Sequence, residues 1–424
     1  MSQEISRRHL LGAGAGMVGA AALGASPAAA HGGGHGHGDD HHDRGRGRRL
    51  VPRDRLGVQQ WSLRDATPRL NRSVSGYLGG PNFPEDPTDL GPLTPLPGGF
   101  AAVFEYLASV GYRGFEFYTL DQGANGPITP QQIRQALDAA GLVSAGSHQG
   151  GLQSMVDASY RNNQIQIAYT LGHRIIGTAG NPANPTLGTL AAWQGYAQQA
   201  NTVGAALRAA GLKYFFHPEQ DWFRFFEDPA HPELARVHRM DWFTDNTDPR
   251  YVFFEPDTMH TLAGRARFVD PVDGTLFDVN GWYGRLAAQR RLVAWHIKDA
   301  DRNPMPAAGT NPFTQEHVRP RFPLNNAPAG TPPTPPHGGV DVVYVGEGSI
   351  GKGYPCDIDP AVLGFERWFT RYRLTNPGWF DAESDAGPGN ATADPGRSLR
   401  WAKISARNLL AMRRVEGERA AGHR

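Results

Sequence analysis

Three segments of the chain end an apolar run in side chains that bind metals or move protons. Arg291–Asp299, R-L-V-A-W-H-I-K-D, finishes in His296, Lys298 and Asp299. Tyr251–His260, Y-V-F-F-E-P-D-T-M-H, carries Glu255 and Asp257. Leu212–Glu219, L-K-Y-F-F-H-P-E, carries His217 and Glu219. Side chains on a strand alternate between faces, so each pair two residues apart points the same way. Polar groups at the C-terminal ends of apolar parallel strands are where an α/β sheet presents its chemistry.

The elements that must hold these groups follow a repeated pattern. Arg55–Trp61 reads as a first strand, and Phe100, Val103, Phe104, Leu107 and Val110 mark the apolar face of a first helix. Gly111 ends that helix and Tyr112–Tyr118 forms the second strand. The unit recurs with a helix opening at Thr129-Pro130 and stopped by Gly141, then a strand at Leu142–Ser147. It recurs again with a helix at about Met155–Leu171, Gly172 and a strand at His173–Thr178. A helix at Leu190–Ala210, stopped by Gly211, leads to Leu212–His217. Strands at Val252–Pro256, Leu292–Ile297 and Trp379–Glu383 complete eight, with helices at Val279–Arg290 and Ser398–Arg413. Helical crossovers demand parallel strands, so the pattern predicts an α/β (β/α)8 TIM barrel, with a doubly wound sheet as the alternative. Long Pro/Gly-rich βα-loop insertions, Ala66–Gly99, Gln220–Pro249 and Asp301–Gly346, all follow strands and so belong on the site face.

The 424-residue chain divides into three regions. Residues 1–30 carry Arg7-Arg8, a Gly/Ala-rich apolar run and a small-residue end at Ala28-Ala29-Ala30, the form of a twin-arginine signal peptide. An ordinary secretory signal is the alternative. Export through the twin-arginine machinery to the extracellular, periplasmic or cell-wall space is therefore expected. The single cysteine, Cys356, fits that destination because it requires no internal disulfide. Residues 31–50 are a His/Gly/Arg-rich linker with the composition of disorder, and residues 51–424 hold the barrel. Loss of residues 1–30 removes Arg7, Arg8 and Glu4 and leaves basic and acidic residues equal in number. Such a balance offers no footprint for nucleic acid. A mean hydropathy of -0.47 gives no reason to expect a membrane span in the mature chain.

In this order, the motifs resemble the sugar phosphate isomerase/epimerase family, the xylose isomerase-like TIM barrels. V-Q-Q-W-S-L-R-D is similar to that family's first strand, and L-A-S-V-G-Y-R-G-F-E-F-Y to its first helix and second strand. A-L-D-A-A-G-L-V-S-A-G-S-H, G-L-K-Y-F-F-H-P-E, F-F-E-P-D-T-M-H and W-H-I-K-D resemble later strands. V-G-E-G-S-I-G resembles a late loop, and F-D-A-E-S-D the last strand. The resemblance implies one divalent metal ion on His217, Asp257, His296 and Glu383. Two imidazoles and two carboxylates suit Mn²⁺, Zn²⁺, Co²⁺ or Fe²⁺ better than Ca²⁺. Many members have Glu where this chain has His217, which weakens any mechanism using two metal-bound carboxylates.

The chemistry expected is an isomerase, epimerase or lyase reaction on a small-molecule carbohydrate, begun by proton abstraction next to a carbonyl through an enediolate. Glu255, Glu219 or Glu383 would move the proton; Glu255 could instead orient a ligand. Lys298 would steady a developing oxyanion or pair with Glu255 or Glu219. Glu116, His148 and His260, at strand ends, and Trp61 would contact the sugar. A metal-dependent hydrolase of the apurinic-endonuclease-like branch and a non-catalytic carbohydrate-binding barrel are the other functions open to this sequence.

Overall fold

Every strand expected from the sequence forms, and all eight enter one parallel sheet. The computed structural model describes residues 48–64, 66–67, 99–123, 126–148, 150–179, 188–270, 272–302, 340–346, 348, 350, 361–384, 397–415 and 417. Residues 1–30, where a signal peptide is expected, nearly all of the linker, Cys356 and most of the first and last insertions lie outside these residues. The barrel strands are β1 (Leu56–Gln59), β2 (Gly114–Phe117), β3 (Val143–Ser147), β4 (Ile175–Thr178), β5 (Lys213–Phe216), β6 (Val252–Phe254) and β7 (Ala294–Ile297). A short antiparallel pair, β8 (Asp299–Arg302) with β9 (Val340–Val343), precedes the last barrel strand, β10 (Trp379–Ala382).

The sheet runs β6-β5-β4-β3-β2-β1-β10-β7. Parallel bridges Phe254↔Leu292 and Asp257↔His296 join β6 to the β7 segment, and Val293 N–H donates to the Phe254 carbonyl at 3.0 Å. The two ends of the sheet therefore meet. A doubly wound sheet would leave them open, so the barrel stands.

The helices are α1 (Phe100–Ser109), α2 (Pro130–Ala140), α3 (Leu152–Val156), α4 (Ala158–Leu171), α5 (Leu190–Ala209), α6 (Arg239–Asp245), α7 (Thr258–Arg267), α8 (Val279–Ala288), α9 (Phe365–Arg371) and α10 (Arg397–Ala411). The α1 face is the one the periodicity marks: Phe100, Val103, Phe104 and Leu107 are buried. Thr129 forms a capping box with Gln132 at the start of α2, and Gly141 ends it at φ 71°.

Three expectations change. The helix expected over Met155–Leu171 is two, because Asp157 accepts a hydrogen bond from Tyr160 N–H and starts a new helix. Gln220–Pro249, read as a loop insertion, contains α6, whose Met240 and Phe243 are buried at helical spacing. Its Asp and Pro density hides that short stripe. His260 lies not at a strand end but in the first turn of α7, because Asp257 Oδ1 accepts from His260 N–H at 2.7 Å and caps that helix.

The barrel interior divides along its length. Ala145, Ile175, Phe215, Phe253, Val293, Ala294 and Trp379 form one apolar cluster. Each fully buried Phe in such a plug contributes about 1.5–3 kcal/mol, which offsets the cost of a polar layer above it. Two residues onward from Phe215, Phe253, Ala294 and Trp379 come His217, Glu255, His296 and Asp381, and two further come Glu219, Asp257, Lys298 and Glu383. The pleat thus converts a period of two into an apolar floor with charged groups over it.

Outside the sheet, α5 approaches so closely that a Cβ on Gly204 would lie 2.3 Å from the Tyr251 carbonyl oxygen. Backbone cannot yield as a side-chain tip can. Gly204→Ala is expected to lower stability by about 1–3 kcal/mol, read as a fall in the urea midpoint at unchanged slope; an unchanged midpoint would show that α5 can move.

Candidate metal centre

His217, Asp257, His296 and Glu383 come together at the C-terminal end of the barrel. One ligand atom from each lies within 4.8 Å of the others, and all four are buried. The imidazoles of His217 and His296 are 4.1 Å apart between centroids. His217 Nε2 is 3.9 Å from Asp257 Oδ2, and His296 Nδ1 is 2.6 Å from Glu383 Oε2. Ligands on opposite sides of an ion bound at about 2.1 Å are about 4.2 Å apart, so the spacing fits one first-row divalent cation.

A second group, Glu116, His148, Glu255 and His296, meets the same distance test. Its bonds argue against it as the ion's seat. His296 Nε2 is 2.5 Å from Glu116 Oε2 and 3.0 Å from Glu255 Oε2. These carboxyls hold the ring nitrogen that faces away from Glu383. A carboxylate behind a ligating histidine fixes its ring and tautomer and raises its basicity.

Charge crowding points to a cation as well. Against Glu116, Glu255, Asp257, Asp381 and Glu383 stands the ammonium of Lys298, 3.1 Å from Asp257 Oδ2 and 3.3 Å from Glu383 Oε2. Burial, then the neighbouring carboxylates, push Glu116, Glu255 and Asp381 well above the usual carboxylate range. Neither oxygen of Glu255 and neither of Asp381 finds a hydrogen-bond partner by distance and angle. Burial also draws His148 down to about 4, so it is neutral at pH 7.

The other residues singled out from sequence occupy distinct places. Glu116 is fully buried beneath His296. His148 stacks on His217 at 5.6 Å and hydrogen-bonds the Gln59 side chain. His260 Nε2 lies 3.1 Å from Lys298 Nζ, so Lys298 is bracketed by His260, Asp257 and Glu383. Glu219 is half-buried at the start of the turn after β5, outside both four-residue groups. Trp61, 39% exposed, sits in the turn after β1, edge-on to Tyr118 and under the Arg64 guanidinium. Asp299 serves structure instead: its carboxylate accepts from the backbone N–H of Gly346, Gly348 and Ile350 and ties those three residues to the start of β8.

Sequence reasoning missed Gln59 and Asp381. Asp381 is in register with His296 and so close to β1 that a Cβ on Gly57 would meet its carboxylate. Its signal was present, two residues before Glu383 on the same face.

A family model described as xylose isomerase-like TIM barrel matches residues 104–403. No functionally curated protein matches the chain. Among solved structures, a sugar phosphate isomerase/epimerase from Parabacteroides distasonis shares 17% identity, with 85% of this chain and 94% of that one covered and a TM-score of 0.45. A xylose isomerase-like TIM barrel protein from Mycobacterium smegmatis in complex with magnesium shares 13%, covering 86% and 99%, at 0.45. The IOLI protein with a binding zinc atom shares 10%, covering 84% and 98%, at 0.47. Those likenesses are too low to carry chemistry between chains. The family model spans well over half of the sequence and its architecture is the one observed, so the protein belongs to the xylose isomerase-like TIM barrel family.

Proposed function

We propose that the protein is an exported, divalent-metal-dependent enzyme that moves a proton next to the carbonyl of a carbohydrate. Isomerisation, epimerisation and elimination of a keto-sugar share that step. The observation that carries the reading is the convergence of His217, Asp257, His296 and Glu383 at the end of the barrel where the long loops emerge. Mn²⁺, Zn²⁺, Co²⁺ or Fe²⁺ suits that mixture of nitrogen and oxygen donors. When bound, such an ion supplies a Lewis acid for a carbonyl and its neighbouring hydroxyl.

The chain's own residues divide the remaining work. Glu255 faces His296 and Glu116, so it positions the ring, with Glu116 beside it. Glu383 and Glu219 are left to take and return the proton. Lys298 and His260, hydrogen-bonded to each other, orient substrate oxygens and hold developing negative charge. Trp61 offers an apolar face for a sugar ring at the mouth, and His148 a neutral imidazole. Export rests on Arg7-Arg8 and the run after them, with the twin-arginine machinery as partner.

The test is to incubate metal-loaded protein in D2O with a panel of keto-sugars and follow the carbon next to the carbonyl by NMR. Deuterium incorporation, abolished in Asp257→Ala, is the expected result. Sugar binding without exchange would instead mark a non-catalytic barrel, and cleavage of abasic DNA the hydrolase branch; either would end the proposal.

A further inference from the structure

At the opposite end of the barrel, where the strands begin, a cavity of about 430 Å³ opens beside the starts of β1 and β10. Its size falls in the range of small-molecule sites, about 300–1,000 Å³. Arg48, Arg55, Arg373 and Arg414 line it, with Tyr372 and Phe380 among its apolar walls, and no carboxylate is among the described residues that line it. Among the described residues, Asp54 lies 3.7 Å from Arg55, and its side chain is 78% exposed.

The two ends of the barrel domain build this wall together. Arg414 N–H donates to the Arg48 carbonyl at 2.9 Å, and Arg49 pairs with Arg413 in an antiparallel bridge. The Arg55 guanidinium lies over the Trp379 ring at 5.5 Å, which fixes a second side of the cavity. Burial, then the positive charges of Arg48 and Arg373, lower the pKa of Arg414, so these guanidiniums repel one another. Holding like charges around one hollow is costly unless an anion relieves it.

We propose that this cavity is a binding site for a small polyanion, one bearing phosphate groups or several carboxylates. Guanidinium is the group whose planar fork matches both of those oxyanions. The site is separate from the metal centre and does not depend on the function assigned to it.

Isothermal titration calorimetry with inorganic pyrophosphate and, separately, citrate tests the proposal. Wild-type protein is compared with Arg414→Gln and Arg48→Gln, each also made in an Asp257→Ala background where chelation at the metal centre makes no contribution. Saturable 1:1 binding is expected, weakened about tenfold or more by either arginine substitution and present in Asp257→Ala alone. Binding of pyrophosphate only assigns a phosphoryl ligand, and binding of citrate only a carboxylate ligand; each supports the site. If Arg414→Gln fails to fold, Arg48→Gln, whose side chain is exposed, still decides. No saturable binding of either anion, or equal binding by the variants, overturns it.

Discussion

His296→Ala is expected to leave the purified protein without its equivalent of divalent metal and to cut turnover roughly a thousandfold or more, the equivalent of about 4 kcal/mol of transition-state stabilisation. The imidazole is wholly buried and stands at the meeting point of the site. One ring nitrogen faces Glu383 and the other faces Glu116 and Glu255. Its removal takes away a ligand and also releases two buried carboxyls from their partner. Elemental analysis, with circular dichroism to establish folding, reads the result. Retention of full metal content would mean that the ion sits elsewhere.

Glu255→Gln should separate positioning from proton transfer. Its carboxylate contacts His296 Nε2 at 3.0 Å and lies 3.8 Å from His217 Nδ1, behind two proposed ligands. Losing such a support typically weakens metal affinity by about 10–100-fold. At saturating metal kcat should return close to wild type. A kcat that stays depressed at saturating metal would make Glu255 the base itself.

The same variant carries a pH signature. Burial and the adjacent carboxylates raise Glu255 well above its ordinary 4.5, so the folded, metal-free protein holds a proton that the unfolded chain releases. Stability from that group is complete below about 4.5 and is lost as pH rises through the folded value. Metal-free Glu255→Gln should therefore lose less stability than wild type as pH rises above about 4.5, measured by urea titration. An identical slope would show that Glu255 does not titrate in that window.

The barrel was legible because it follows from short periods, while the set His217, Asp257, His296 and Glu383 was what the family resemblance implied. Phe253, Glu255 and Asp257 lie two apart, as do Ala294, His296 and Lys298, and the alternation of a strand is enough to place them on one face. What stayed hidden depends on contacts between distant segments. Nothing local distinguishes Glu116 as a partner of His296, 180 positions away, from a residue at the mouth. Lys298 reads from sequence as a partner of Glu255 or Glu219, and its contacts with Asp257 and Glu383 emerge only in the fold. Asp257 reads as a strand-end ligand, but its second use, capping α7, moves His260 onto a helix. Gln59 carried no signal beyond its place next to Gln60.

The direct measurement is an anomalous-difference map from crystals grown with Mn²⁺. One peak within bonding distance of His217, Asp257, His296 and Glu383 is the result expected. A map with no peak in the barrel, or with its peak among Glu116, His148 and Glu255 instead, would contradict the assignment of the metal centre.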